Sequence, residues 1–241
     1  MKMEEFATAY INMKNVVMKM GRMLCAAFFI LHSSFFISCS TDAYDKGEGD
    51  YSFMRADLAD VHVGADKKAV SFDTDDSRHF TIENPFTTKL FTTPDSIYRL
   101  ALYYKYKEVN SAAAEVVGTS QVAVLRPKVI PADEMKTDPV RFESAWLSKN
   151  RRYLNTSIYL LVGETVVEEA HHVIGAHIDT LMQNGDGTRT LHLRFYHDQG
   201  DMPEYYSQRT YMSIPLQGFD ADSVSISINT YQGEIEKVYS L

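Results

Sequence analysis

Histidine side chains are the main candidates for metal or acid–base chemistry in this sequence. Five of the eight histidines fall in its C-terminal half: His171, His172, His177, His192 and His197. Along a strand, His171 and His177 would lie roughly 20 Å apart and His172 would point to the opposite face, so these three cannot bind one metal. Hairpin pairing puts His177 and Asp179 on the face that carries His192 and Arg194, which predicts a polar stripe of cross-strand pairs. The alternative is a zinc site built from His177, Asp179 and His192, as in a metal-dependent hydrolase.

His197 and Asp198 could suggest a base with an orienting carboxylate. Adjacent strand residues point to opposite faces, however, and the sequence has no Gly-x-Ser-x-Gly nucleophile motif. We therefore expect this pair to cap a strand end and to shape the next loop, with Gly200 in an unusual backbone conformation. The sequence also has no Walker, dinucleotide-binding, His-Glu-x-x-His or EF-hand motif. It predicts a protein that is not an enzyme and that uses no cofactor.

Tyrosine pairs are the second feature that could bind a ligand. Tyr103, Tyr104 and Tyr106 lie in one predicted strand, and Tyr205 and Tyr206 begin another. In each adjacent pair, one ring should pack inward and the other outward. The predicted ligand-binding set is Tyr103, Tyr104, Tyr106, Tyr205 and Tyr206, whose outward rings would stack on sugar or peptide. The alternative is ordinary core and surface packing, as we expect for Trp146 in a sandwich core.

Strands must position these side chains, because the dominant periodicity after residue 51 is two. Apolar and polar residues alternate over 190–195 and 223–228, as in strands with one buried face. Asn184-Gly185-Asp186-Gly187 predicts a tight hairpin, and a turn at 231–233 joins the last two strands. Further strands are predicted at 53–63, 68–73, 79–82, 98–106, 115–123, 142–148, 153–162, 171–182, 205–214 and 234–239, and the helix pattern near 132–135 is short. The fold class is therefore all-β.

Two prolines, Pro127 and Pro131, interrupt the strand pattern and mark a domain junction. Residues 51–130 have the length and strand number of a small closed barrel, and residues 131–241 those of a two-sheet sandwich.

The N-terminal segment predicts export and lipid attachment. Basic residues precede apolar runs at 24–31 and 35–37, and the segment ends at Ser38-Cys39, which resembles the lipobox of bacterial lipoproteins. Residues 1–38 would then be a signal peptide, shortened to 26 or 21 residues if translation starts at Met13 or Met18. The alternatives are a spanning anchor, although His32, Ser33 and Ser34 interrupt the run, or a plain secretory leader. Both cysteines of the chain, Cys25 and Cys39, lie here, which excludes a disulfide framework.

The net charge of the chain indicates which kinds of partner it favours. The leader carries four basic and two acidic residues, so its removal changes the net charge from −8 to −10. An acidic chain is a poor ligand for nucleic acid and favours encounters with basic partners. Residues 39–50 read as a flexible acidic tether between the lipidated Cys39 and the folded body.

Several stretches carry a resemblance to a known family. They are 51–58 (YSFMRADL), 124–127 (VLRP), 137–148 (TDPVRFESAWLS), 196–200 (YHDQG), 203–207 (PEYYS) and 228–233 (INTYQG). They resemble the NigD-like lipoproteins of Gram-negative anaerobes. The resemblance implies an OB-type N-terminal barrel and a C-terminal, immunoglobulin-like β-sandwich. The family is named after a bacteriocin gene cluster, which implies an immunity role and supplies no catalytic residues.

The sequence thus predicts a non-catalytic lipoprotein of the outer membrane, on its periplasmic or outer face, anchored to the membrane through Cys39. The first functional hypothesis is a protein-binding accessory or immunity factor. The second is a surface protein that binds glycan or peptide through exposed tyrosine rings. Three or more exposed rings in one groove would favour the second hypothesis.

Overall fold

The computed structural model describes residues 54–106, 111–164 and 171–241. These ranges contain strands joined by turns and loops, and within them no helix is long and apolar enough to cross a bilayer. Each predicted strand has an observed counterpart, which confirms the all-β class. At the short helix pattern near 132–135, the chain makes a turn closed by a hydrogen bond from the Glu134 N–H to the Pro131 carbonyl. The signal peptide, the tether and Cys39 lie outside the described residues.

The first five strands form a closed barrel in the order β1-β2-β3-β5-β4. They are β1 (Met54–Val63), β2 (Ala69–Thr74), β3 (His79–Phe86), β4 (Ser96–Lys105) and β5 (Ala113–Gln121). Antiparallel pairing of β1 with β4 closes the barrel, and β3 pairs in parallel with β5. The rings of Phe72, Phe80 and Tyr104 fill its interior, with centroid separations of 5.0 to 5.3 Å. This is the small closed barrel that the sequence predicts.

The remaining strands form two four-stranded sheets, with orders β13-β12-β10-β9 and β6-β11-β8-β7. They are β6 (Ala123–Val124), β7 (Arg141–Leu147), β8 (Tyr153–Val162), β9 (Val173–Gln183), β10 (Arg189–Asp198), β11 (Tyr206–Pro215), β12 (Ser223–Thr230) and β13 (Gly233–Ser240). Their inward residues, including Leu154, Ile158, Leu191, Leu193 and Ile226, form one apolar core. The predicted β-sandwich is confirmed.

Two predicted turns take the conformations that their glycines permit. Gly187 has φ of 89° in the hairpin between β9 and β10, and Gly233 has φ of 110° between β12 and β13. Other side chains rarely adopt such angles. The first of these turns fixes the register of β9 and β10, which carry the predicted histidine stripe.

The change from barrel to sandwich comes earlier than the predicted boundary at residues 130 and 131. Ala123 and Val124 already pair with β11, and Leu125 packs in the sandwich core. The Lys128 N–H donates to the Ala176 carbonyl at 3.0 Å. Pro127 and Pro131 interrupt the alternation of strand residues, but the segment between them still pairs along the edge of β9. Residues 123–130 therefore belong with the sandwich.

Candidate functional site

A cleft of about 520 Å³ opens where the barrel meets the sandwich. The barrel contributes residues of β1 and β4 and the turn after β2, and the sandwich contributes the end of β7, the residues after it, and β11. Its lining includes Arg55, Asp57, Asp76, Tyr103, Trp146, Lys149 and Tyr211. This volume falls in the range of about 300–1,000 Å³ that is usual for small-molecule sites.

Three aromatic rings, those of Tyr103, Trp146 and Tyr211, line this cleft. Tyr103 is 39% exposed, and the other two are partly buried. At their base, Trp146 and Tyr211 pack against a small apolar patch from Leu58, Ala101 and Val122. The cleft thus offers flat apolar surfaces with polar edges, which suit ligands that have both apolar and hydrogen-bonding faces.

Trp146 does not lie in the sandwich core, so that prediction is wrong. The register of β7 against β8 shifts between Phe142 and Ser144, which leaves Glu143 as a β-bulge. One extra residue reverses the faces of all those that follow. Phe142 and Leu147 therefore pack on the core, and Trp146 points outward to the barrel.

Carboxylates lie beside the rings, and each already accepts a hydrogen bond. Tyr104 Oη donates to Asp57 Oδ2 at 2.9 Å, and the Thr74 hydroxyl donates to Asp76. Burial, and to a lesser degree the Asp57 carboxylate, raise the pKa of Tyr104 well above its usual value. Tyr104 thus stays a neutral donor and fixes the Asp57 carboxylate at the rim of the cleft.

A buried arginine joins barrel and sandwich beneath the cleft. The Arg99 side chain is 3% exposed, and its Nη2 lies 2.8 Å from both carboxylate oxygens of Asp75. Across the junction, Arg99 Nε donates to Ser213 Oγ at 3.1 Å, and Nη2 donates to Asn155 Oδ1 at 3.2 Å. The guanidinium also lies over the Tyr153 ring, 4.1 Å from its centroid. One barrel side chain therefore contacts three sandwich residues.

Two acidic residues of the barrel complete this arginine network. Arg99 Nη1 lies 3.3 Å from Asp60 Oδ1, which also accepts from Tyr153 Oη at 3.1 Å. Asp75 accepts from Asn155 Nδ2 at 2.8 Å. Burial raises the pKa of Asp75, whereas the Arg99 charge acts in the opposite direction. Because Asp75 also lines the cleft, the network sets the position of one of its polar walls.

The five predicted ligand-binding tyrosines do not form one site. Tyr104 and Tyr106 are buried in the barrel core, which corrects their assignment, because β4 places Tyr104 on its inward face. Tyr103 faces outward into the cleft, as the alternation predicts. Tyr205 and Tyr206 are 78% and 56% exposed, so neither ring packs inward. Tyr206 starts β11, five residues and roughly 17 Å from Tyr211.

The histidine stripe forms as predicted on the outer face of β9 and β10. His177 pairs with Arg194 across the strands, and Arg194 Nη2 lies 3.0 Å from Asp179 Oδ2. His177 Nδ1 accepts the Ile130 N–H at 2.9 Å, whereas His192 Nδ1 lies 2.8 Å from Ser225 Oγ. Within the described ranges, no three His, Cys, Asp or Glu side chains are grouped to hold a metal. Of the zinc candidates, His177 Nε2 lies 3.4 Å from Asp179 Oδ1, whereas His192 is bound to Ser225 and does not join them.

Sequence reasoning missed a histidine pair inside the sandwich. His172 Nδ1 lies 3.0 Å from His197 Nε2, and His197 is 1% exposed. The signal was present, since His197 continues the inward alternation of Leu191, Leu193 and Phe195. The expected loop contacts also form, because Asp198 Oδ1 accepts the Gly200 N–H at 3.1 Å and Gly200 has φ of 56°.

Barrel, sandwich and cleft together define an all-β protein with a concave surface where the barrel meets the sandwich. Residues 121–240 match the family of the NigD-like C-terminal beta sandwich domain. The predicted resemblance to the NigD-like family is therefore confirmed for this part of the chain. A search of the curated proteins found no match.

Several solved structures share this fold over most of the chain. A NigD-like immunity protein from Bacteroides caccae is 23% identical with a TM-score of 0.59, over 77% of this chain and 96% of its own. A Parabacteroides distasonis protein, provisionally described as toxin-related, is 15% identical with a TM-score of 0.58, over 78% and 93%. A Bacteroides fragilis protein, provisionally described as a lipoprotein, is 13% identical with a TM-score of 0.53, over 77% and 96%. At these identities the likeness shows the fold.

Proposed function

We propose that this protein is a non-catalytic binding protein of the cell envelope, of the immunity type, which holds a segment of a partner protein in the cleft between barrel and sandwich. The single observation that carries this proposal is the convergence of Tyr103, Trp146 and Tyr211 on one cleft. Aromatic residues dominate the binding energy of many protein interfaces, and they do so most strongly in concave, desolvated settings. A cleft of about 520 Å³ accommodates a few side chains of an extended chain.

Charge inside the cleft is balanced, so contact and hydrogen bonding would carry recognition there. Asp57 interacts with the nearby Arg55, and Asp75 is paired with Arg99. Long-range attraction would come instead from the net charge of the chain, −8 in the full sequence, which steers basic partners toward it. The preferred partner is thus a basic polypeptide whose bound segment presents apolar side chains.

Polar groups that line the cleft already have hydrogen-bond partners within the protein, which favours binding over catalysis. None of the residues that line the cleft is a histidine. Asp75 is held by Arg99 and Asn155, and Ser148 Oγ donates to Asn150 and accepts the Tyr153 N–H. A general base needs to reach a substrate proton, and these groups are occupied within the protein.

The solved structures with the same fold also support an anchored binding protein of the immunity type. A NigD-like immunity protein and a protein provisionally described as toxin-related share the fold, and a third relative is provisionally described as a lipoprotein. Together with the lipobox-like Ser38-Cys39, they support an anchored protein of the outer membrane. Two acyl chains or more on Cys39 would anchor it stably, since each buried methylene contributes about 0.8 kcal/mol.

Trp146 makes the proposal testable, because it is the only tryptophan of the chain and it lines the cleft. Its fluorescence would be titrated with basic polypeptides secreted by the native host and its neighbours, and with synthetic extended segments of them. We expect saturable quenching or a spectral shift that weakens at least tenfold in Tyr103→Ala. Tyr206→Ala is the matched control, since that exposed ring lies outside the cleft, and it should bind normally. Equal binding by both variants would contradict the assigned site.

Glycan binding is the second candidate function, because three rings lie in one groove beside carboxylates. Only Tyr103 of the three is exposed, whereas this hypothesis expects three exposed rings, so glycan binding stays second. The same fluorescence titration with oligosaccharides distinguishes the two functions. Quenching by oligosaccharides, lost in Tyr103→Ala, together with no response to polypeptides would replace the first proposal with this one.

A further inference from the structure

The His172–His197 pair is enclosed by groups that restrict where its protons can be. His172 Nε2 lies 2.9 Å from the Leu161 carbonyl oxygen, and His197 Nδ1 lies 2.9 Å from the Asp138 carbonyl oxygen. A carbonyl oxygen only accepts, so both of these outer ring nitrogens must carry a proton. A neutral imidazole has only one N–H, which leaves the two inner nitrogens with lone pairs that face each other at 3.0 Å.

We propose that His172 and His197 share one proton between their inner nitrogens and act as a pH-sensitive clamp between the two sheets of the sandwich. One additional proton converts the repulsion between lone pairs into an N–H···N hydrogen bond. A second would place two N–H groups against each other at the same distance. The geometry therefore holds the pair at one positive charge, with three protons on four nitrogens.

The clamp joins elements from both sheets. Leu161 belongs to β8, which is in the sheet with β7 and β11, whereas His197 belongs to β10 in the opposite sheet. Backbone hydrogen bonds at 3.0 Å tie His197 to Lys136 and Asp138, the segment that leads into β7. Loss of the shared proton would force one ring to release its carbonyl or its partner ring. The sheets and this segment would then be held less tightly at that end.

The surrounding charges are compatible with one positive charge and oppose a second. His171 is the adjacent titratable neighbour, and burial followed by the His197 charge lowers the pKa of His172. The Asp138 carboxylate accepts the Gln199 N–H at 2.7 Å, and Asp198 is paired with Lys136 at 2.6 Å. The Tyr231 side chain interacts with both the Glu204 and the Asp138 carboxylates, and Lys136 interacts with Tyr196 and Asp138. The Phe195 ring packs against His197 with centroids 6.2 Å apart, which keeps that side apolar.

Because the folded pair keeps one proton, its effect on the free energy of unfolding changes sign with pH. In the unfolded chain the two histidines go from two protons to none as the pH rises through about 6.5. Below that pH the folded pair binds one proton fewer, so stability rises with pH. Above it the folded pair binds one more, so stability falls until the shared proton is lost. The contribution is therefore greatest near pH 6.5, with slopes of at most about tenfold in the folding constant per pH unit.

Nitrogen NMR of the full chain with labelled histidine tests the shared proton directly. Near pH 6.5 we expect protonated outer nitrogens on both rings, one proton between the inner nitrogens, and a common titration midpoint for the two residues. Two neutral rings at this pH, or two unrelated midpoints, would overturn the proposal.

Unfolding equilibria from about pH 5 to 8 test the consequence. His172→Phe keeps an aromatic ring but cannot share a proton, and we expect it to remove the maximum near pH 6.5. His171→Asn is the matched control, since it removes the adjacent exposed histidine and should retain the maximum. An unchanged pH profile in His172→Phe would also overturn the proposal. If that variant does not fold, the NMR spectra of the natural chain decide the question.

Discussion

The sandwich interior and its junction with the barrel are both buried, yet they use opposite kinds of side chain. The interior is built from residues such as Leu154, Leu191 and Leu193, which are almost fully buried. The junction has only a small apolar patch, and beside it lie the buried charges of Arg99, Asp60 and Asp75. Apolar burial is non-directional, whereas a guanidinium with several acceptors has one favourable geometry.

The two kinds of side chain therefore have different roles: the apolar cores provide stability, and the arginine network sets orientation. The two apolar cores stabilise the barrel and the sandwich individually, and extended burial of this kind tolerates small shifts. The arginine network adds little net stability over an apolar substitute, because removing charges from water offsets most of their attraction. It fixes instead how the Tyr103 wall of the cleft faces Trp146 and Tyr211. A cleft between two domains needs such a restraint to keep its shape.

The largest effect is expected at the junction, from Arg99→Met. Without the guanidinium, Asp75 would lose its cation in a largely buried position, whereas Asp60 would keep Arg152, whose Nη1 lies 3.0 Å from Asp60 Oδ2. Leaving a buried charge without its partner costs about 3–5 kcal/mol of unfolding free energy. Urea unfolding followed by Trp146 fluorescence measures it. We also expect a shifted emission maximum before unfolding, because the ring lies at the junction. A loss below about 1 kcal/mol with unchanged emission would show that the network does not fix the orientation.

The counterpart in the interior is Leu193→Ala, which leaves a cavity in the sandwich core. We expect a loss of about 3 kcal/mol from the removed methyl groups and the cavity. Trp146 emission in the folded state should stay as in the natural chain, since the junction contacts are intact. If emission shifted as much as in Arg99→Met, the separation between stability and orientation would fail.

The elements of both regions could be predicted from the sequence, whereas their junction could not. Strict alternation over 190–195 and 223–228 and the glycine turns at Gly187 and Gly233 are local signals, and they gave the correct strands. Trp146 was misplaced because the bulge at Glu143 reverses its face, and nothing in the local alternation marks that bulge. Arg99 bonds to residues 56 and 114 positions away, so its partners depend on how two complete domains pack.

A smaller effect is expected when one charge of the network is removed and its shape is kept, as in Asp75→Asn. One carboxylate oxygen is replaced by an amide group, so Arg99 loses one acceptor, a change of about 1–2 kcal/mol near neutral pH. The sign of the pH dependence is more informative. Burial raises the pKa of Asp75 in the folded protein, so this residue makes stability fall as the pH rises through that raised pKa.

Comparing the natural chain with Asp75→Asn by urea unfolding between about pH 4 and 7 isolates this effect. The free energy of unfolding of the natural chain should contain a decrease with rising pH that Asp75 contributes and that Asp75→Asn lacks. The two curves of this free energy against pH should therefore draw closer together as the pH rises. Parallel curves would show that Asp75 has the same proton affinity in the folded and unfolded chains. Its carboxylate would then be better solvated than its place in the junction indicates.

The smallest effect is expected from an ion pair of the same chemistry on the surface, which completes the comparison. Arg194 lies 3.0 Å from Asp179, but its side chain is 40% exposed. Water solvates both charges in the folded and unfolded chains, so Arg194→Met should cost less than about 1 kcal/mol. Raising the salt concentration should narrow the difference further, because exposed pairs are screened. A loss as large as that of Arg99→Met would mean that charge pairing itself, rather than burial at the junction, sets the cost of losing an arginine in this protein.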